Sequence, residues 1–178
     1  MTIGALGYRY VGPRHLLRAA VGGPGGWPVT STAGLDTLAD TCAGAEFGEP
    51  MTYVVDLNGS LLLAPRRSEH VACARGENVL AAGEITLIRS GSGWHVEEVT
   101  NQSTGYCPDP CSWPAVSAAL RRLGVPQPAG FTHEFVFRRC PRCRATNVVR
   151  DEEFWCAVCD EPLPRTWNFG TGPAAGAP

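Results

Sequence analysis

Four cysteines near the C-terminal end, Cys140, Cys143, Cys156 and Cys159, form two Cys-x-x-Cys pairs separated by twelve residues. Two thiols three residues apart on a tight turn can face one ion. Two such turns brought together supply four thiolates in a tetrahedron, a donor set that suits Zn²⁺. Four protein ligands leave no open position, so the expected ion is one structural zinc rather than a catalytic one. A module of about 35 residues has too little core to fold alone, so the ion must supply much of its stability.

Other side chains could do chemistry in the middle of the chain. His70 could titrate near neutrality. Glu84 could serve as a general base if its surroundings are apolar. Ser103 and Tyr106, with Thr104, offer hydroxyls on a loop. Taken as catalytic candidates, His70, Glu84, Ser103 and Tyr106 suggest a pocket for a polar ligand such as a phosphate or a nucleotide. The alternative is that Asn101, Gln102, Ser103 and Thr104 satisfy each other and the backbone in a tight turn. His70, Cys73, Cys107 and Cys111 are four candidate ligands for a second metal, set against the commoner outcome of buried unpaired thiols. A zinc deaminase is excluded by spacing, because no glutamate follows His70 at the required place and the Cys107–Cys111 gap is one residue too long.

These residues need elements to hold them. His15–Val21 reads as a short helix ended by the glycines and prolines of 22–28, and Ala33–Ala43 as a second helix capped by Ser31 or Thr32. Thr52–Leu57 and Ser60–Ala64 read as strands joined by the Asn58-Gly59 hairpin signal. Ala81–Ile88 and Trp94–Thr100 read as a second hairpin across a Ser-Gly-Ser-Gly turn. In the return strand alternation puts Trp94, Val96 and Glu98 on one face, with His95, Glu97 and Val99 on the other. Residues 101–110 form a loop, and Pro114–Leu123 a helix stopped by Gly124. Phe131–Phe137 is a strand leading into the first cysteine pair, with 147–149 and 153–155 as the middle strands of a zinc ribbon. The expected fold class is α+β: a small mixed or antiparallel sheet domain with two or three helices over 1–128, then a ribbon over 131–169. Residues 170–178, composed of Gly, Pro, Ala and Thr, are expected to be a disordered tail.

Composition narrows the function. All 15 basic residues are arginine, against 17 acids, giving a net charge of −2. Without lysine there is no Schiff base and no P-loop. The arginine-only usage, with abundant Gly, Ala and Pro, suggests a GC-rich, bacterial coding bias. Arg138, Arg139, Arg142 and Arg144 cluster around the first cysteine pair and could bind phosphate or an acidic partner. The module is nonetheless neutral, because Asp151, Glu152, Glu153, Asp160 and Glu161 follow. No stretch is long and apolar enough to span a bilayer, and the first residues lack the pattern of a signal peptide. Eight cysteines without a secretion signal point to a reducing cytoplasm.

Between His70 and Pro108 the sequence carries His70-x5-Gly76-x2-Val79-x-Ala81-Ala82-Gly83, then a hairpin, then Ser103, Tyr106 and Pro108. This pattern resembles a domain of plant IQ-motif calmodulin-binding proteins and of some bacterial toxin-associated proteins. Gly105 stands where that pattern has a second histidine, and no IQ motif is visible, so calmodulin binding does not carry over. The leading reading is a cytosolic adaptor that binds a protein partner through the ribbon and the central polar loop. The rival is a toxin-related enzyme using the four candidates named above on a nucleotide-like or phosphate-bearing substrate. A third reading is nucleic-acid binding through Arg138–Arg144.

Overall fold

The computed structural model describes residues 7–41 and 48–170. The architecture is α+β. Helix α1 (Arg14–Ala20) precedes strand β1 (Trp27–Val29) and helix α2 (Thr32–Thr41). Strands β2 (Met51–Asp56) and β3 (Leu61–Ala64) form the expected hairpin. Helix α3 (His70–Cys73) leads to β4 (Val79–Ser90) and β5 (Gly93–Val99). Helix α4 (Trp113–Leu123) follows, then β6 (Val136–Arg139) and β7 (Thr146–Val149). The tail from 171 and the end of the second expected helix, 42–43, lie outside the described residues.

The main sheet is antiparallel with order β1-β3-β2-β4-β5. Strand β2 lies at its centre and is buried on both faces. Tyr53 and Val55 point into a core with Leu35 of α2 and Val116 and Leu120 of α4. Val54 points the other way, into a second core with Ala20, Val71 and Tyr106. A strand covered on both faces reads as a continuous apolar run, as Tyr53-Val54-Val55 does.

Two departures from the sequence reading have clear causes. Trp27–Val29 pairs with β3 although Pro28 lies within it. This is an outer strand, and proline is tolerated where no ladder donor is needed. In β5, Thr86 pairs with Glu98 but Leu87 pairs with Val96, so a bulge falls at Glu97. The extra residue turns Val99 to the same side as Trp94 and Val96, and all three are buried. Strict alternation had put Val99 on the opposite face.

The outer side of β5 is covered by the chain running from α4 to β6. The Val96 amide donates to the Pro126 carbonyl at 3.0 Å, and the Thr132 amide to the Val99 carbonyl at 2.8 Å. Thr132 Oγ1 accepts from the Val99 amide at 2.9 Å. Thr100 and His133 form a parallel bridge. The regular strand starts only at Val136, because Phe131 is spent in the first core.

Gly83 marks a close backbone approach. A Cβ there would run into the Thr100 carbonyl, which is main chain and cannot swing away. Gly83→Ala should therefore fall at the upper end of the overpacking range, about 3 kcal/mol. Urea denaturation against the native chain checks this, and a loss below about 1 kcal/mol would contradict the contact.

Candidate metal centre

The four cysteines come together. β6 delivers Cys140 directly from its end, and β7 leads through the turn after Val149 towards Cys156. Their sulfur atoms all lie within 4.8 Å of one another. Cys140 Sγ is 3.6 Å from Cys159 Sγ, and Cys143 Sγ is 3.6 Å from Cys156 Sγ. A zinc–sulfur bond of about 2.3 Å implies a tetrahedral sulfur–sulfur edge of about 3.8 Å. The cluster therefore has the size of an S4 cage and can hold a metal ion, and its all-thiol donors and tetrahedral scale suit zinc.

Main-chain donors already serve the sulfurs. The Cys143 amide points at Cys140 Sγ at 3.4 Å, and the Val158 amide at Cys156 Sγ at 3.5 Å. Asn147 is buried and braces the second turn. Its Oδ1 accepts from the Ala157 amide at 3.0 Å, and its Nδ2 lies 3.6 Å from Cys156 Sγ. Such outer contacts orient ligands and favour thiolate. Desolvation opposes the Cys156 thiolate, but the Val158 and Cys159 amides and the neighbouring thiols outweigh it and bring Cys156 down to about 6. At Cys159 the Glu161 amide favours the thiolate. Desolvation and three adjacent thiols win there and push it up to about 12. Four sulfurs this close cannot all carry charge unless a cation shares the space.

The second middle strand of the expected ribbon is reduced to isolated bridges, Arg150 with Glu153 and Trp155 with Pro162. Acid residues crowd that segment, and Asp151 and Glu152 both adopt left-handed backbone (φ 51° and 58°). The chain there is a turn.

The arginine patch is divided by the fold. Arg138 is buried, 6% exposed, with its guanidinium donating to the carbonyls of Phe137, Pro164 and Arg165. Arg139 lies over the Phe169 ring at 4.9 Å. Only Arg142 and Arg144 remain exposed.

The central loop proves to be the seat of the metal module. Asn101 is fully buried; its Nδ2 donates to the carbonyls of Pro108 (2.9 Å) and Phe135 (2.8 Å), and its Oδ1 accepts from the Phe135 amide (2.7 Å). Ser103 Oγ accepts from the Tyr106 amide. The Tyr106 hydroxyl donates to the Glu77 carbonyl at 2.6 Å, and burial raises its pKa. Trp167, beyond the last cysteine, folds back so that Nε1 donates to the Cys107 carbonyl at 2.7 Å. Its ring meets Tyr8 edge-on at 5.4 Å. Phe137, Phe169 and Cys107 close a small shared core.

The other candidates are dispersed. His70 Nε2 lies 3.0 Å from the Gly83 carbonyl. Glu84 is half-buried, and its amide and carbonyl pair with Thr100. Among the described residues no hydrogen bond joins the side chains of any two of His70, Glu84, Ser103 and Tyr106. Cys73 Sγ faces the Leu62 carbonyl and Cys107 Sγ the Thr104 carbonyl, while Cys111 Sγ contacts the Tyr8 hydroxyl. Burial pushes Cys73 and Cys107 up to about 12, which keeps both thiols neutral. Among the described residues, the only group of three or more metal-ligating side chains close enough to share an ion is the four-cysteine cluster. At Gly105 a Cβ would lie 2.6 Å from the Tyr10 ring, so that ring fills the place where the resembling pattern carries its second histidine.

Desolvation lowers the pKa of His70, and its bond to the Gly83 carbonyl opposes this only in part. The folded state then favours neutral imidazole, while the unfolded chain takes up a proton below its ordinary value of 6.5. Stability is intact above that value and falls as the pH drops below it. His70→Gln should flatten this dependence between about pH 7 and 5, measured by melting at constant metal load. An unchanged slope would contradict the assignment.

Comparison with family models, with curated proteins and with solved structures finds no match to this chain. Nothing beyond the motif pattern therefore speaks for the resemblance to the IQ-motif and toxin-associated domain. Sequence reasoning missed Asn101, Arg138 and Trp167 as the residues that seat the module. The signal for Trp167 was a tryptophan and a phenylalanine two residues apart, just past the last knuckle. Among the described residues, no helix is long and apolar enough to cross a membrane.

Proposed function

We propose that the protein is a zinc-binding adaptor, in which the sheet domain holds a four-cysteine ribbon rigidly and offers the ribbon's outer side to a protein partner. The observation that carries this reading is the exposure of Trp155 (61%) and Val158 (71%) at the second knuckle. Large apolar side chains held out from a metal-stiffened turn resemble the rigid anchors of binding surfaces. Val148, 38% exposed, adds to the apolar surface of the module. The central loop is occupied in seating the ribbon, so the ribbon itself is the contact surface. An enzyme built on Ser103 and Tyr106 has less support, because their hydroxyl groups are engaged by main chain. Nucleic-acid binding has less support because two of the four arginines are used internally. Seven unpaired cysteines among the described residues fit a reducing compartment, and we place the protein in the cytoplasm.

The test compares the native chain with a W155S/V158S double variant of equal metal content. A photo-crosslinker placed near the knuckle should trap a protein that rebinds the purified native chain and fails to bind the double variant. His70→Ala should bind as the native chain does. If the double variant retains every partner of the native chain, the ribbon surface is not the contact.

A further inference from the structure

We propose that the cleft between the β2–β3 turn and the segment joining α3 to β4 binds an amino-acid-like zwitterion with an apolar side chain, as a short peptide or a free amino acid. None of its walls comes from the metal module, so the inference stands apart from the adaptor reading.

The cleft has a volume of about 540 Å³, within the range of about 300–1,000 Å³ usual for small-molecule sites. Its lining is apolar at Leu57, Leu62 and Val79 and charged at Asp56, Arg75 and Glu77. Arg75 is set by several constraints. Its backbone is left-handed (φ 55°), and the next residue, Gly76, continues with φ 83°. Its Nε donates to the Pro24 carbonyl at 3.0 Å. Its aliphatic stem lies against Gly25, where a Cβ would strike it. Among the described residues no carboxylate pairs with its guanidinium. The left-handed turn is the closure of α3, with the Arg75 amide donating to the Ala72 carbonyl (3.1 Å) and the Gly76 amide to the Val71 carbonyl (2.8 Å). It fixes the residue at the cleft with an exposed guanidinium that no carboxylate among the described residues neutralises.

On the opposite wall Asp56 is also fixed. Asp56 Oδ1 accepts from the amides of Asn58 (2.9 Å) and Ser60 (2.7 Å), which locks the turn and aims the carboxylate. Glu77 lies on the same wall as Arg75, with its main-chain carbonyl held by the Tyr106 hydroxyl and its side chain exposed. Neither acid pairs with a cation among the described residues. A guanidinium fork matches a carboxylate, and two carboxylates suit an ammonium group. One cation against two anions disfavours phosphate and nucleotides. The apolar lining takes the ligand's side chain, and the volume leaves room for more than one residue. The fixed Asp56 carboxylate and the anchored Arg75 reduce the ordering that binding would otherwise require.

The test uses the full-length, metal-loaded protein with leucine, leucyl-leucine, N-acetyl-leucinamide and inorganic phosphate as probes, followed by calorimetry and amide shifts. Leucyl-leucine or leucine should bind saturably, and the uncharged N-acetyl-leucinamide roughly tenfold more weakly or not at all. Tighter binding of the dipeptide assigns the site to peptides, and tighter binding of leucine assigns it to free amino acids. Arg75→Asn tolerates the left-handed backbone and should weaken binding roughly tenfold. Glu77→Gln, an exposed change, should weaken it even if the first variant folds poorly. Absence of saturable binding by both zwitterions, equal binding by the uncharged probe, or preference for phosphate overturns the proposal.

Discussion

Stripping the ion with a strong chelator should unfold residues 136–169 while the five-stranded sheet persists. The module's own core is three buried residues, Cys140, Cys156 and Leu163, and two of these are ligands. Without the ion, four sulfurs crowd together and little apolar surface holds them. Structural zinc is worth about 10–16 kcal/mol in small cysteine modules, far more than such a core supplies. The amides of Cys140 and Leu163, bonded to Ala145 and Phe154, should lose their exchange protection. Trp167 should leave Cys107, changing tryptophan emission. The amides of β2, central in the sheet, should stay protected. Cys156→Ser should give the same pattern without chelator. Full retention of protection in the module after metal removal would mean that packing, and not the ion, holds it.

Arg138→Ala should cost about 3–5 kcal/mol in the metal-loaded protein, the range for breaking a buried charged network. The guanidinium ties β6 to the segment after the last cysteine. Nη1 donates to Phe137 (2.7 Å), Nη2 to Arg165 (2.7 Å), and Nε is shared between Pro164 and Arg165. Asp109, 3.8 Å away, supplies the counter-charge from the sheet domain. Removal leaves three carbonyl groups and one carboxylate poorly satisfied, and each buried orphan carries its own penalty. Lysine should rescue little, because one ammonium cannot reproduce the planar fork. Arg144→Ala, at an exposed knuckle position, should stay within about 0.5 kcal/mol. Urea denaturation at fixed zinc measures all three. A loss below about 1 kcal/mol for Arg138→Ala would show that the network is not structurally important.

Much of this was legible in the chain. The cysteine spacing located the four-thiol cluster because two Cys-x-x-Cys turns have the local geometry to face one ion. The hairpin at Asn58-Gly59 and helix α4, with Pro114 near its start and Gly124 at its end (φ 71°), followed from backbone rules that act over a few residues. The failures were long-range. Val99 was placed on the wrong face because a bulge at Glu97 depends on the partner strand. The strand at Trp27–Val29 was hidden because Pro28 reads as a breaker until the strand is known to be outermost. The Asn101–Tyr106 loop has the composition of a binding loop and of a tight turn alike. Only the arrival of Phe135 and Trp167, more than thirty residues downstream, shows which groups it satisfies.

The covering of β5 by residues 126–133 bears on how the protein can be dissected. A fragment ending at residue 128 would keep the Pro126 contact but lose Thr132 and His133. The end of its outermost strand would then offer bare amide and carbonyl groups, ready to zip onto another molecule. Such a truncated sheet would clump, whereas one carried through residue 135 would stay apart, so the joint between the two parts is itself a guard against self-association.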